Sequence, residues 1–254
     1  MTKLGQKIYF LFKFEYKKIF DFNSNVFLII FLKTFDLKII STSVKSLENS
    51  IFCYCSSLTQ ITIPPSVNSI GNYSFCKCFA LKQVTISSSV TQIGLNSFDE
   101  CTSLVQVLFT IPSSLTQIGG FAFHKCSSLK QFSIPASVTQ IESGAFDECS
   151  SLQQILIPSS VKQIGNAAFC DCSSLANVSF KTPSSLTHIG VSAFHGCLSL
   201  TQIIIPSSVI EIGKKPFSNC LSLKQISIPR SLNTSSNMKH FYFDINTKVE
   251  VIIR

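Results

Sequence analysis

Apolar and polar positions along this chain follow one unit that recurs from Ser43 to Ile228. Each copy contains the spacing L-x-x-I-x-I, as in Leu58, Ile61 and Ile63, and closes on a residue such as Pro64. Apolar residues two apart share one face of a strand, and Pro cannot donate to a ladder, so the spacing predicts a short strand ending there. A second apolar pair follows three residues apart, Val67 and Ile70, then Gly71, then Phe75 and Cys78. The Gly is expected at a positive-φ turn, and the segment after it as a short helical or 3₁₀ piece.

Aligned on Val44, Val67, Val90, Leu115, Val138, Val161, Leu186 and Val209, the copies step by 23 residues, except for two steps of 25. Both longer steps add two residues between a strand and the next aligned position, at Phe109 to Leu115 and Phe180 to Leu186. They are therefore expected in connections, where stacked coils tolerate insertion. A unit this short cannot bury its apolar side alone; stacked copies can, which makes the chain a solenoid. Phe52, Phe75, Phe98, Phe123, Phe146, Phe169, Phe194 and Phe217 then form one aromatic column at the centre of the core.

The unit resembles the BspA-like class of leucine-rich repeats, which joins an L-x-x-I-x-I-P strand, a V-x-x-I-G turn and an A-F-x-x-C-x-x-L return. Ile134, Pro135, Val138, Ile141, Ala145, Phe146, Cys149 and Leu152 show nearly all of it in one copy, and the likeness spans residues 43–232. The resemblance implies an α/β solenoid: a right-handed, curved stack of about eight coils of 23–25 residues with short parallel strands. It also implies adhesion or recognition at a cell surface, with no catalytic residues to carry over. The expected domains are an N-terminal cap or targeting segment at 1–42, the solenoid at 43–232 and a capping segment at 233–254.

With Leu58, Ile61 and Ile63 inward, the residues between them point out. One outward column runs Gln60, Gln83, Gln106, Gln131, Gln154, Asn177, Gln202 and Gln225, an amide ladder roughly 35 to 40 Å long at the strand spacing. Two readings of it stand side by side. Stacked amides hydrogen-bond along the axis and solubilise the sheet, or they form a neutral platform for a protein or glycan partner. Leu108, Leu156 and Ile204 place apolar groups in the neighbouring outward column and are the expected contact anchors. A second outward column continues through Gln92, Gln117, Gln140, Gln163, His188 and Glu211.

Charge narrows the partner class. Of the formal +8, residues 1–42 hold +4 and residues 230–254 hold +2, so the repeats keep only +2, from ten Lys against eight acids. No basic stripe exists for nucleic acid. The longest strictly apolar run, Val26 to Leu32, is seven residues, too short for a stable membrane span. Apolar content is 45% and charged content 13%, ample for a core.

Candidate chemistry is sparse. No Ser-His-acid set, Walker loop, H-E-x-x-H or G-x-G-x-x-G occurs, and no catalytic residue, cofactor or metal is assigned. Eight of the eleven Cys sit three residues after the column Phe and read as inert core thiols. Cys53, Cys76 and Cys170 directly follow Phe; a bridge between Cys53 and Cys76 on adjacent coils is geometrically conceivable, beside the plainer reading of free thiols. The same column holds Asp99, His124, Asp147 and His195, which places His124 between two carboxylates, where it could carry a raised pKa or share a metal with them. The column is expected to be exposed and solvated.

At the C-terminus, Phe241, Phe243, Val249, Val251 and Ile253 suggest a terminal hairpin. Sequons at Asn72, Asn177 and Asn233 mildly support export. The expected location is the cell surface or outside, with a cytoplasmic scaffold as the alternative. The repeat pattern encodes no oligomeric state.

Overall fold

A computed structural model of the chain describes residue 40, residues 42–233 and residues 249–254. Of the sequence expectations, nearly all of the 1–42 segment and the Phe241 and Phe243 half of the terminal hairpin lie outside the described residues.

In chain order the first strands are β1 (Gln60–Ile63), β2 (Ser69–Ile70), β3 (Gln83–Ile86), β4 (Gln92–Ile93) and β5 (Gln106–Phe109). Then come β6 (Gln117–Ile118), β7 (Gln140–Ile141), β8 (Gln154–Ile157), β9 (Gln163–Ile164) and β10 (Asn177–Phe180). The last are β11 (His188–Ile189), β12 (Gln202–Ile204), β13 (Glu211–Ile212), β14 (Gln225–Ile228) and β15 (Glu250–Ile253). All pairing is parallel and in repeat register: Gln60 faces Gln83, which faces Gln106, and His188 faces Glu211. The chain is a solenoid of stacked three-walled coils.

The first wall carries the L-x-x-I-x-I strands, whose burial alternates out and in, as at Gln60–Ile63. The second wall is one unbroken seven-stranded sheet, β2-β4-β6-β7-β9-β11-β13, made of the two residues before each repeat Gly or Glu. The third wall is the A-F-x-x-C return. There the backbone N–H groups reach forward to the next coil: Asn96 to Gly120 (2.9 Å), Phe98 to Ala122 (2.8 Å) and Glu100 to His124 (2.9 Å). On the second wall they reach back, as Gly94 does to Ile70 (2.9 Å).

The helical half of the α/β expectation is corrected. The described residues hold no α-helix and one 3₁₀ turn, Arg230–Leu232, so the architecture is a β-solenoid. The cause is local: two residues in every return, such as Asn96 (φ 52°) and Glu100 (φ 54°), are left-handed, and a right-handed helix cannot continue through them. Intercoil bonds on both sides of the Phe hold this strained backbone in place.

The repeat Gly also has a different reason from the one expected. Gly94 is not at positive φ; a Cβ there would lie 2.7 Å from the backbone carbon of Gly71. Glycine lets successive second-wall corners touch.

Inside, the column Phe residues stack face to face in seven consecutive pairs, from 4.9 Å between Phe52 and Phe75 to 5.7 Å between Phe194 and Phe217. Each is essentially fully buried. Burial of one such ring stabilises by about 1.5–3 kcal/mol, with roughly 0.5–1.5 kcal/mol more from each ring pair. The Cys column beside it is hydrogen-bonded as well as buried. Cys101 Sγ donates to the carbonyl of Phe75 (3.1 Å), Cys126 to Phe98 (3.2 Å) and Cys149 to Phe123 (3.1 Å), always one coil back.

β15 pairs with β14 in parallel, Gln225 facing Glu250, and so adds a further rung to the first wall.

Candidate functional site

The first wall is not continuous. It consists of β1-β3-β5, then β8-β10 joined by a single bridge from Gln154 to Gln131, then β12-β14-β15. The two interruptions follow the two 25-residue coils directly. In these coils the last strand position holds Phe109 and Phe180 where the others hold Ile, and both rings are only half-buried, whereas Ile63, Ile86 and Ile157 are fully enclosed. A larger ring in an Ile slot, followed by two extra residues, separates the next strand from its neighbour.

The two breaks are filled differently. At the first, Phe132 packs edge-on against Phe109 (5.6 Å), Phe123 (4.9 Å) and Phe146 (4.8 Å) and plugs the gap. At the second, the matching residue is Ile203, and a groove of about 680 Å³ stays open between Phe180 and Ile203. Pro183 and Pro206 flank it, Asn177 and Gln202 form its polar edge, and Arg254 lies at its end, donating to the Ile205 carbonyl (3.0 Å). A second depression of about 270 Å³ adjoins it, lined by Gln131, Gln154, Leu156 and Asn177.

The structure thus sorts the candidate contact residues into three groups. Gln60, Gln83, Gln106 and Leu108 lie on the intact β1-β3-β5 sheet. Gln131, Gln154, Leu156, Asn177, Gln202 and Ile204 gather around the two depressions. Gln225 stands on β14 and donates to Glu250 (3.1 Å). Leu156 and Ile204 are each 54% exposed. Among the described residues, no side-chain hydrogen bond links one amide of this column to the next. The stacked-amide reading therefore loses its bonds from amide to amide; Gln225 donates to Glu250 instead.

The third wall holds a second cluster, and it is not the solvated column expected. His124 Nδ1 lies 2.7 Å from Asp99 Oδ1, and its Nε2 lies 3.5 Å from Glu148 and 4.0 Å from Asp147. Asp99 is 9% exposed. The Asp99 hydrogen bond, against opposing burial, raises the His124 pKa, with further help from the charges of Asp99 and Asp147. Burial alone would raise the Asp99 carboxyl; the bond and charge of His124 outweigh it and hold Asp99 below the usual aspartate value. Burial pushes Asp147 up. His124, Asp147 and Glu148 offer three donor atoms close enough to share a metal ion, as do Asp147, Cys170 and Asp171. On the second wall His188 approaches Glu211 (3.3 Å) and Thr187 (2.8 Å).

None of the eleven cysteines forms a disulfide, Cys53 and Cys76 included. Burial, then the neighbouring Cys53 and Asp99, push the Cys76 thiol up to about 12. No helix among the described residues is long and apolar enough to cross a membrane.

The model of the BspA type leucine rich repeat region matches in six copies, over residues 21–110, 107–182 and 178–252. The chain belongs to the BspA-type leucine-rich repeat family. The match extends into both segments that flank the eight clear copies. Comparison with curated proteins gives no match. Among solved structures, the chain is similar to the T. pallidum leucine rich repeat protein TpLRR, at 26% identity and a TM-score of 0.62, over 84% of this chain and 97% of that one. It is also similar to a leucine-rich repeat protein of Bacteroides ovatus, at 22% identity and a TM-score of 0.37, over 82% of this chain and 88% of that one.

The BspA-type unit accounts for the Phe and Cys columns, while both clusters arise where this chain departs from its own repeat. Phe180, Pro183, Ile203 and Arg254 were not legible as a site. The available signal was the two-residue insertion after Phe180 together with Ile, not Phe, at position 203.

Proposed function

We propose that this chain is a non-enzymatic recognition module that binds a protein or glycan partner along its first wall, with the groove between Phe180 and Ile203 as the principal contact. The observation that carries this is the pairing of unbonded amides with exposed apolar side chains around one opening. Asn177 and Gln202 retain their hydrogen-bonding capacity beside Ile204, 54% exposed, and Leu156 stands next to them. A polar rim around an apolar centre is the usual anatomy of a binding surface.

Family membership supports a place at the cell surface or outside. A cytoplasmic scaffold of the same shape is the second reading, favoured by eleven cysteines outside any disulfide, which a reducing compartment preserves. Surface labelling of intact cells separates the two. For binding itself, affinity capture with the whole chain is compared between the parent and a variant with Leu108, Leu156 and Ile204 all changed to Ser. Loss of the captured partner with an unchanged melting temperature supports the reading, and undiminished capture refutes it.

A further inference from the structure

We propose that His124, Asp147 and Glu148 form a binding site for one Zn²⁺-class divalent ion, with Asp99 as its positioning residue.

The geometry has three parts. His124 Nε2 lies 3.5 Å from Glu148 Oε1 and 4.0 Å from Asp147 Oδ2, and the three donor atoms are all within 4.8 Å of one another. A tetrahedral zinc ion with bonds of about 2.0–2.1 Å separates its ligand atoms by roughly 3.3 Å, so small side-chain adjustments close the set. Among the described residues, Nε2 makes no hydrogen bond; its carboxylate neighbours surround a point in space without touching the ring.

Asp99 supplies the second part. It accepts from Nδ1–H at 2.7 Å, which leaves the lone pair of the neutral imidazole on Nε2, aimed at Asp147 and Glu148. The ring of Phe121 stands edge-on to His124 at 5.6 Å. The Asp99 carboxylate, the His124 imidazole and the Asp147–Glu148 donor pair occupy three successive coils, the arrangement that orients histidine ligands in metal sites.

Charge is the third part. Asp99, Asp147, Glu148 and Asp171 crowd this stretch of the third wall, opposed by Lys125, whose Nζ lies 3.7 Å from Glu148. The half-buried Asp147 has no lysine or arginine within ion-pair reach among the described residues. A cation would neutralise this excess, and a nitrogen donor selects a borderline ion over Ca²⁺ or Mg²⁺, which prefer oxygen alone. The adjacent set of Asp147, Cys170 and Asp171 is the weaker one, since burial and both aspartates push the Cys170 thiol up and oppose the thiolate a metal needs. Bound at His124, the ion would staple neighbouring coils and leave a fourth position for water or a donor from a partner.

The test uses the full chain without a histidine tag, stripped with EDTA and titrated with Zn²⁺ against a chromophoric chelator. One saturable equivalent is expected, weakened at least tenfold by His124→Asn and by Asp147→Asn, and about 10- to 100-fold by Asp99→Asn. Co²⁺ in place of Zn²⁺ should give a visible d–d spectrum without a thiolate charge-transfer band. Metal-free melting curves of Glu148→Gln, a change at a largely exposed side chain, guard against misfolding, and this variant should also bind more weakly. Absence of a saturable equivalent, affinity unchanged in His124→Asn, or a thiolate band that disappears in Cys170→Ser each overturns the proposal.

Discussion

Cys149 Sγ lies 3.1 Å from the carbonyl oxygen of Phe123, one coil back. The contact joins the two columns of the core: the Phe123 carbonyl already accepts from the Cys126 N–H (3.1 Å), and the thiol one coil on is its second donor, so one side chain fills space and adds an intercoil bond. A small apolar residue would do only the first.

Cys149→Ala should therefore cost about 0.5–1.5 kcal/mol, because the buried Phe123 carbonyl loses one of two donors and keeps the Cys126 N–H at 3.1 Å, while little volume changes. Urea unfolding of parent and variant measures it. In the folded protein Cys126, Cys172 and Cys197, whose thiols burial raises well above the ordinary value, should resist alkylation until the chain unfolds.

Phe146→Ala should cost about 3–5 kcal/mol, since it removes a ring stacked on both sides, at 5.4 Å from Phe123 and 5.2 Å from Phe169, and packed against Phe132. In a repeat stack the loss is shared with the neighbouring coils. A loss of unfolding free energy below about 1 kcal/mol, from urea titration, would contradict the packing described.

Ile203→Phe copies into the second wall break the residue that plugs the first. The variant should melt at or near the parent temperature and bind its partner at least tenfold more weakly, about 1.4 kcal/mol. Parental affinity with a filled groove would place recognition elsewhere on the chain.

The Asp99–His124 pair should give the metal-free protein a pH-dependent increment of stability. His124 is raised above 6.5, so its share is complete below that value and is lost as pH rises through the folded-state pKa. Asp99 is lowered below 3.8, so its share is complete above that value and is lost in stronger acid. The increment is thus full between 3.8 and 6.5. Asp147, raised by burial, works against it at the acid end, and Lys125 and Glu148 also face the ring, so the readout lies on the alkaline side. Asp99→Asn should flatten the fall in chemically measured stability above 6.5, in EDTA, and a near-normal His124 titration by NMR would refute the coupling.

Much of the fold was legible because identical letters at a fixed period must meet on stacked coils. The strand spacing, the Phe column and the inward Cys were readable from one copy. The return was not: Asn96 and Glu100 look like ordinary helix-compatible residues, and their left-handed backbone is imposed by bonds from neighbouring coils. Gly94 was read as a turn residue, although contact with Gly71 is what excludes a side chain.

The candidate site was legible only in outline. That Gln202 and Ile204 point outward follows from strand alternation. That a groove opens beside them does not, because it depends on Phe180 overfilling an Ile position and on Ile203 failing to fill the gap that Phe132 fills elsewhere.

By itself, then, the amino-acid sequence determined the repeat, its register, its inward columns and its family. Tertiary structure alone decided where the first wall parts, which amides remain unbonded, and that Asp99 and His124 meet at 2.7 Å in a partly buried contact. Periodicity specifies which residues are neighbours from coil to coil; grooves and buried polar contacts depend on how individual side chains of unequal size share that space, and no period encodes it.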